Sequence, residues 1–188
     1  LDWLVERGIS PNVASFVGAA TVRVNEIGYA DRAPTSEELD RMRAHVRTAM
    51  EEGAMGLSSA LIYAPGFYAK TDELVELAKV ASQYNGMYIS HMRSEGNRLV
   101  EAVDELMTIA REAKIRAEIY HLKAGGESNW SKMDEVIRRV EAARALAGSC
   151  RSDAPRKQIV NGLWLRPTRS DRARAISGCG GLEMSTIR

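Results

Sequence analysis

Two of the three histidines in the chain occupy equivalent positions in two successive sequence units. His91 follows the apolar run GMYIS, and His121 follows RAEIY thirty positions later. Neutral imidazole is the commonest nitrogen ligand of Zn²⁺ in proteins, and zinc polarises a carbonyl and lowers the pKa of its bound water toward about 7. The repeat therefore predicts that His91 and His121 share a zinc ion.

A structural role for the same histidines is the alternative. A histidine at the end of a strand is often a hydrogen-bonded residue of the framework, and a zinc site takes three or four protein ligands rather than two. His45 is a poor third ligand because it falls in the middle of a predicted helix, beside its apolar face. From the residues alone, both interpretations stay open.

Cationic side chains follow the two histidines at the same distance. Arg93 lies two positions after His91, and Lys123 lies two positions after His121. Residues i and i+2 of an extended chain share a face. Both cations are therefore predicted to enter one mouth and to bind an anionic group of a small-molecule substrate.

Short apolar runs alternate with longer amphipathic runs along most of the chain. Runs of the first kind predict strands at 12–19, 54–60, 87–91 and 117–122. Runs of the second kind predict helices at 35–53, 71–86, 97–113 and 129–145, with Ser36, Thr71 and Ser131 as N-caps. Strands that alternate with helices predict an α/β fold with a parallel sheet, whose carboxyl ends hold the two histidines side by side.

Two closures of this sheet are compatible with the pattern: an open doubly wound sheet and a partial (β/α)₈ barrel of the TIM type. Residues 1–146 contain about four βα units, or half of a barrel, which takes roughly 250 residues in full. The chain starts at Leu1 rather than at methionine, so we expect a fragment. A half-barrel exposes two sheet edges and one core face, which favours self-association.

The pattern ends after Ala145, and residues 147–188 are predicted to form an irregular tail. Basic residues outnumber acidic ones there, and both cysteines, Cys150 and Cys179, fall in it. A basic interaction arm, a disordered extension and residues translated out of frame are the three open interpretations. Two cysteines without CxxC spacing predict no disulfide framework.

Charge and hydropathy exclude several kinds of partner. The net charge is +1 and the sequence contains no recognisable nucleic-acid module, so we expect no nucleic-acid partner. It contains no run of about 18 apolar residues, so we expect no membrane span. The start LDWLVERG lacks a signal-like apolar core, which predicts a cytoplasmic protein.

Four motifs, in order, resemble the N-acyl-D-amino-acid deacylases, the D-aminoacylase branch of the amidohydrolase superfamily. They are NVASFVGAATVR, GAMGLSSALIYAPGFYAKTDEL, YISHMRSEG and IYHLKAGGESNW, and the resemblance covers about residues 1–145. It implies a metal-dependent (β/α)₈ barrel that hydrolyses N-acyl-D-amino acids to a carboxylate and a D-amino acid. It also implies zinc ligands and substrate-binding residues in this chain: His91 and His121 for zinc, and Lys123, Arg93 and Tyr63 for the substrate.

The sequence also departs from the family's pattern. The family has an HxH pair and a bridging cysteine before the matched region, and its catalytic aspartate lies on the last barrel strand. This chain contains no HxH, and Cys150 and Cys179 follow the histidines instead of preceding them. No catalytic residue is therefore assigned in this chain, the general-base aspartate is expected outside it, and the fragment is expected to be inactive by itself.

Two other functions remain as alternatives. One is a cyclic amidohydrolase of the imidase or hydantoinase type, whose members usually bridge two metals with a modified lysine on an earlier strand end. Lys123 comes after His121, which ranks this alternative lower. The other is a non-catalytic truncated product.

Overall fold

A five-stranded parallel sheet forms the centre of the fold. The computed structural model describes residues 2–149 and 159–161. Neighbouring strands follow chain order across the sheet, and they are β1 (Val17–Gly18), β2 (Gly56–Ala60), β3 (Met87–His91), β4 (Arg116–Ile119) and β5 (Ile159–Asn161). The helices are α1 (Asp2–Glu6), α2 (Ala19–Ile27), α3 (Ser36–Glu51), α4 (Thr71–Gln83), α5 (Leu99–Glu112) and α6 (Met133–Ser149).

The long helices cover one face of this sheet. Helix α3 packs on α4, α4 on α5, and α5 on α6. Burial alternates along β3: Tyr88 and Ser90 are buried, whereas Met87, Ile89 and His91 are half-buried. Helices on one face and strands in chain order are the arrangement of a (β/α) barrel segment, because a doubly wound sheet carries helices on both faces.

The hydrophobic core lies between the helices and the covered face of the sheet. Each long helix contributes side chains spaced by three or four residues, and each strand contributes alternate residues. Fully buried members of this core include Met42 of α3, Leu74 of α4, Val103 of α5, Leu57 of β2 and Tyr88 of β3. The helices therefore fix the strands, and the strand ends fix the loops that carry the polar residues.

The beginning of the chain differs from the sequence prediction. Of the strand predicted at 12–19, only Val17–Gly18 pairs with the sheet, and helix α2 begins at once with Ala19. Helix α2 is rich in β-branched residues, which lowers its intrinsic helix propensity. It forms because packing buries Val22 and Arg23.

The three predicted N-caps are wrong. Thr35, one residue before Ser36, caps α3 through its side chain, in a reciprocal capping box with Glu38. Thr71 is already inside α4, and its hydroxyl donates to the Glu105 carboxylate instead. Ser131 lies within a 3₁₀ turn, Glu127–Lys132, that precedes α6.

Regular structure extends further along the chain than the sequence pattern indicates. Helix α6 continues to Ser149, and β5 pairs in parallel with β4, with Ala117 opposite Ile159. Both segments enter the region predicted to be irregular. Cys150 and Cys179 lie outside the described residues.

The described part of the chain contains no helix with the length and apolar character that a membrane crossing requires.

Candidate metal centre

The two histidines meet at the carboxyl ends of adjacent strands. His91 is the last residue of β3, opposite Ala60 of β2, and His121 lies two residues beyond the end of β4. The Nε2 atom of His121 lies 3.1 Å from the Nδ1 atom of His91. The two rings make an edge contact, with centroids 4.4 Å apart and planes at 88°. The structure thus brings together the pair that the sequence repeat singled out.

The imidazole of His121 is oriented by a turn and not by a strand. The predicted strand 117–122 ends early, at Ile119, and His121 has a φ of +41° in the left-handed region. That conformation is uncommon for a residue other than glycine and costs conformational energy. It directs the imidazole back toward His91 instead of continuing the alternation of the strand.

Glu95 completes a three-residue group with the histidines. Its Oε1 atom lies 3.0 Å from His121 Nδ1 and 3.5 Å from His91 Nε2. One ligand atom from each of the three residues falls within 4.8 Å of the other two. The sequence analysis missed Glu95, although its position four residues after His91, within the same loop, was a usable signal.

Lys123 lies against the same group. Its Nζ atom is 2.5 Å from Glu95 Oε1 and 2.9 Å from His121 Nδ1, while about half of its side chain is exposed. A carboxylate and an imidazole nitrogen thus converge on one cation. Lys123 thus lies beside His121, and its predicted role in substrate binding stays a prediction.

Burial shapes the electrostatics of His91. Desolvation lowers the pKa of His91 below its ordinary value, and the nearby His121 and Lys123 act in the same direction, whereas Glu95 opposes them. The neutral imidazole is therefore favoured, which is the form that binds metals. The Nε2 atom of His91 is buried without a hydrogen-bond partner. An orphaned buried polar nitrogen carries a cost that a ligand on that nitrogen would remove.

These residues fit a zinc ion. Two imidazoles and one carboxylate are the donor types that zinc accepts, and three protein ligands leave a fourth position open, as in hydrolytic zinc sites. The unpartnered Nε2 atom of His91 can accept a metal ion. Glu95 and His121 also hold the ammonium of Lys123, so these side chains together favour a bound positive charge. His45 is separate from this group, since its Nε2 atom contacts Glu26 Oε1 at 2.8 Å.

Arg93 is held by protein groups. Its guanidinium makes a two-pronged contact with the Glu105 carboxylate, at 2.9 and 2.8 Å, and donates to the carbonyls of Phe67 and Ala69, each at 2.8 Å. These contacts tie the loop after β2 and the loop after β3 to helix α5. They favour a positioning role, and the predicted contact of Arg93 with substrate remains a prediction.

Two tyrosines flank the histidines. The ring of Tyr63 makes an edge contact with His91, with centroids 5.5 Å apart, and Tyr120 makes one with His121 at 4.6 Å. Both tyrosines are largely exposed. Tyr63 is therefore placed beside the candidate centre, where the sequence analysis expected a pocket residue.

The relatives of the chain decide its family. The D-aminoacylase of Alcaligenes xylosoxydans xylosoxydans is 36% identical over 145 residues, which are 77% of this chain and 30% of that protein. The N-acyl-D-aspartate deacylase of the same organism is 32% identical over 180 residues, which are 94% of this chain and 35% of that protein. The chain belongs to the N-acyl-D-amino-acid deacylase family. It spans about a third of the length of the curated relatives it matches.

Solved structures of these deacylases share the fold. The crystal structure of N-acyl-D-glutamate deacylase from Bordetella bronchiseptica, complexed with zinc and a phosphonate inhibitor, matches with a TM-score of 0.77 and 28% identity. The match covers 85% of this chain and 32% of that chain. The deacylase barrel thus confirms the α/β prediction of a partial (β/α)₈ barrel over the doubly wound alternative. No family model matches the chain.

The longer of the two sequence alignments also bears on residues 147–188. It covers 94% of a chain of 188 residues, so it extends well past residue 146. The division into a barrel segment, residues 1–146, and a separate tail remains a prediction.

Proposed function

We propose that this chain supplies the histidine-bearing strands of a zinc-dependent hydrolase, which cleaves the amide bond of N-acyl-D-amino acids. The products are a carboxylate and a free D-amino acid. The observation that carries the proposal is the convergence of His91, Glu95 and His121 at two adjacent strand ends, with an orphaned nitrogen on His91. Relatives named for this activity support it.

In this proposal, His91, Glu95 and His121 hold the zinc. When bound, zinc polarises the amide carbonyl and activates water for its hydrolysis. The lowered pKa of His91 keeps its ring neutral and available as a ligand at neutral pH. The left-handed turn at His121 orients the second imidazole toward the first.

Lys123 is proposed to bind the carboxylate of the substrate. Its ammonium lies at the mouth, on a flexible stem, beside the metal ligands. A charge-assisted hydrogen bond to a carboxylate is about twice as strong as a neutral one. Tyr63 is proposed to line the pocket beside His91, and Arg93, whose contacts are internal, to hold the surrounding loops and to reach substrate only through them.

Proton transfer is proposed to depend on a residue outside this chain. A general base must lie within hydrogen-bond reach of the water it activates. The one carboxylate of the described metal group, Glu95, is already shared by Lys123 and the two histidines. We therefore expect the chain alone to be inactive, and a longer protein that contains it to hydrolyse N-acyl-D-amino acids.

Zinc binding is the first test. Zinc affinity is measured by competition with a chromogenic chelator, for the wild type and for His91→Ala, His121→Ala and His45→Ala. One zinc per chain is expected, and either of the first two variants should lose more than the 10- to 100-fold that outer contacts contribute. His45→Ala is the matched control and should bind like the wild type. Equal affinity in all four proteins would refute the proposal.

Self-association is a second part of the proposal. The short strand β1 stands at the edge of the described sheet, beside a cavity of about 640 Å³ that Val17 and Gly18 help to line. Unpaired strand edges and exposed apolar faces favour association. Light scattering should show dimers or larger species, and a concentration-independent monomer would contradict this part.

Two further expectations from the sequence stay predictions. No observation favours the cyclic-amidohydrolase alternative, and hydrolysis of a hydantoin by a longer protein that contains this chain would restore it. The cytoplasmic location is tested by fractionation of the source cells.

A further inference from the structure

Two loops carry the residues of the candidate metal centre. The loop after β3, residues 92–98, contains Glu95, and the loop after β4, residues 120–126, contains His121 and Lys123. The loops are joined through their backbones, because the N–H of Gly125 donates to the carbonyl oxygen of Glu95 at 2.6 Å. The position of the Glu95 carboxylate relative to His121 therefore depends on how the two loops are held together.

A buried asparagine holds the second loop. Asn129 lies in the 3₁₀ turn before α6 and is 5% exposed. Its side-chain amide donates to the carbonyl oxygen of Gly125 at 2.7 Å, and its backbone N–H donates to Gly126 at 3.0 Å. Gly96 and Gly126 pack close to the same amide: a Cβ atom on either would lie 3.7 or 3.6 Å from its nitrogen. A buried amide with these partners fixes its surroundings, since a lost partner leaves a polar group unsatisfied.

Lys132 connects this asparagine to the first loop. Its Nζ atom donates to Asn129 Oδ1 at 2.6 Å and to the carbonyl oxygen of Asn97 at 2.8 Å. One ammonium thus spans the loop of Glu95 and the turn that holds the loop of His121. Neither Asn129 nor Lys132 is a member of the metal group, which consists of His91, Glu95 and His121.

We infer that Asn129 and Lys132 are positioning residues of the metal centre. They clamp the loop of Glu95 to the loop of His121, and so set the distance between the carboxylate and imidazole donors. The inference rests on the proposed zinc site. Contacts outside the ligands commonly contribute about 10- to 100-fold to metal affinity, because they hold the ligands in the geometry that the metal requires.

Three variants separate the contacts of this clamp. Lys132→Met keeps the aliphatic stem and removes both hydrogen bonds of the ammonium. Asn129→Asp keeps an acceptor for Lys132 and removes the donor to Gly125. Lys132→Arg keeps a cationic donor and tests rescue. Lys79→Met is the matched control, because Lys79 Nζ likewise donates to a side-chain oxygen, Glu76 Oε1 at 2.6 Å, but lies outside the clamp.

The measurements are zinc affinity by chelator competition, the visible absorption of the Co²⁺-loaded protein, and the thermal midpoint with a chelator present. We expect Lys132→Met and Asn129→Asp to weaken zinc binding by about 10-fold or more and to change the Co²⁺ bands. Lys132→Arg should recover most of the affinity, and Lys79→Met should bind zinc like the wild type. The Co²⁺ bands report the geometry of the ligands, which a loss of stability alone would not alter.

The outcomes distinguish this inference from the proposed function. If the wild type binds no zinc, or if His91→Ala and His121→Ala bind it equally well, the proposed function fails and the inference fails with it. If the wild type binds zinc through the histidines, while Lys132→Met and Asn129→Asp keep its affinity and Co²⁺ spectrum, only the inference is overturned. A lower thermal midpoint with unchanged spectrum and affinity would likewise overturn it, because the clamp would then be merely structural.

Discussion

Two clusters of charge in this chain are built in opposite ways. Arg23 of α2 and Glu73 of α4 are paired at 2.5 Å in the interior, with side chains 1% and 4% exposed. The guanidinium of Arg23 also donates to the carbonyls of Ala30 and Arg32, so these contacts fasten α2 and the loop after it to α4. At the strand ends, three groups instead converge on the single Oε1 atom of Glu95.

The difference lies in what each cluster still lacks. Each contains one buried nitrogen without a hydrogen-bond partner, Arg23 Nε and His91 Nε2. A guanidinium nitrogen only donates, whereas an imidazole nitrogen can also coordinate a metal. The interior pair is thus suited to stability, and the strand-end cluster is suited to binding. Breaking the first should destabilise the fold, and breaking the second should remove a metal ligand without destabilising it.

The largest effect is expected from Glu73→Ala. Burial raises the pKa of Glu73 although Arg23 opposes the shift, so the site disfavours a charge that has no partner. Removing one member of a buried ion pair costs about 3–5 kcal/mol, because the other is left buried and unpaired. Urea denaturation should show this loss of unfolding free energy.

Glu76→Ala is the control for this variant, since Glu76 pairs with Lys79 and Arg43 at a more exposed position. Exposed pairs contribute about 0–1 kcal/mol. Similar losses in Glu73→Ala and Glu76→Ala would break the comparison between interior and surface charge. Zinc affinity of the folded fraction should be unchanged in both.

His91→Leu is expected to raise the free energy of unfolding, whereas Glu73→Ala lowers it. The substitution removes a buried ring nitrogen, His91 Nε2, that lacks a hydrogen-bond partner, and such a polar group costs about 1–3 kcal/mol. With a chelator present, the free energy of unfolding should therefore rise, by about 1 kcal/mol once the altered packing and the lost contact with His121 Nε2 are counted. Zinc should no longer stabilise the variant as it stabilises the wild type. A destabilisation as large as that of Glu73→Ala would show that His91 belongs to the framework, as the structural interpretation of the histidines holds.

The two clusters also differ in how well the sequence predicts them. Strand β3 and His91 follow from local alternation, and the strand is predicted to the residue as MYISH. Helix α2 is not predicted, because its β-branched residues favour a strand locally and only packing, with Arg23 enclosed, makes it helical. Arg23 and Glu73 are fifty positions apart, and no local pattern relates them.

At the candidate metal centre, the sequence predicts what the strands position but not what the loops position. The meeting of His91 and His121 follows from parallel strand ends, which a repeat in the sequence reveals. Glu95 lies four residues after His91, but its meeting with His121 depends on the backbone N–H of Gly125, which donates to Glu95 from a different loop, and that contact has no local signature. Thr71 illustrates the same limit, since its hydroxyl serves Glu105, thirty-four positions away, rather than its own helix. Strand order is thus readable from the sequence, whereas loop contacts are decided by the fold.

The smallest effect on stability is expected at the surface ion pair of Arg32 and Glu38, which serves as a reference for both clusters. Two hydrogen bonds from Arg32, together with the backbone N–H of Thr35, lower the pKa of Glu38 to about 2. Because the folded pKa lies below the ordinary value of 4.5, the ionised carboxylate stabilises the fold fully above about pH 4.5. This stabilisation is lost as the pH falls from 4.5 toward 2.

Glu38→Gln should therefore be less stable than the wild type at pH 7. Its loss of unfolding free energy should be smaller than that of Glu73→Ala, and the difference between Glu38→Gln and the wild type should decrease below pH 4.5. Urea midpoints measured from pH 7 to pH 3 test this, with Glu37→Gln as the control at the neighbouring position in the first turn. This difference should also shrink in salt, because solvent screens an exposed pair and not a buried one. A stability difference between the wild type and Glu38→Gln that is constant with pH and salt would mean that Glu38 contributes through packing rather than charge. The surface pair would then not differ from the interior pair in its response to solvent.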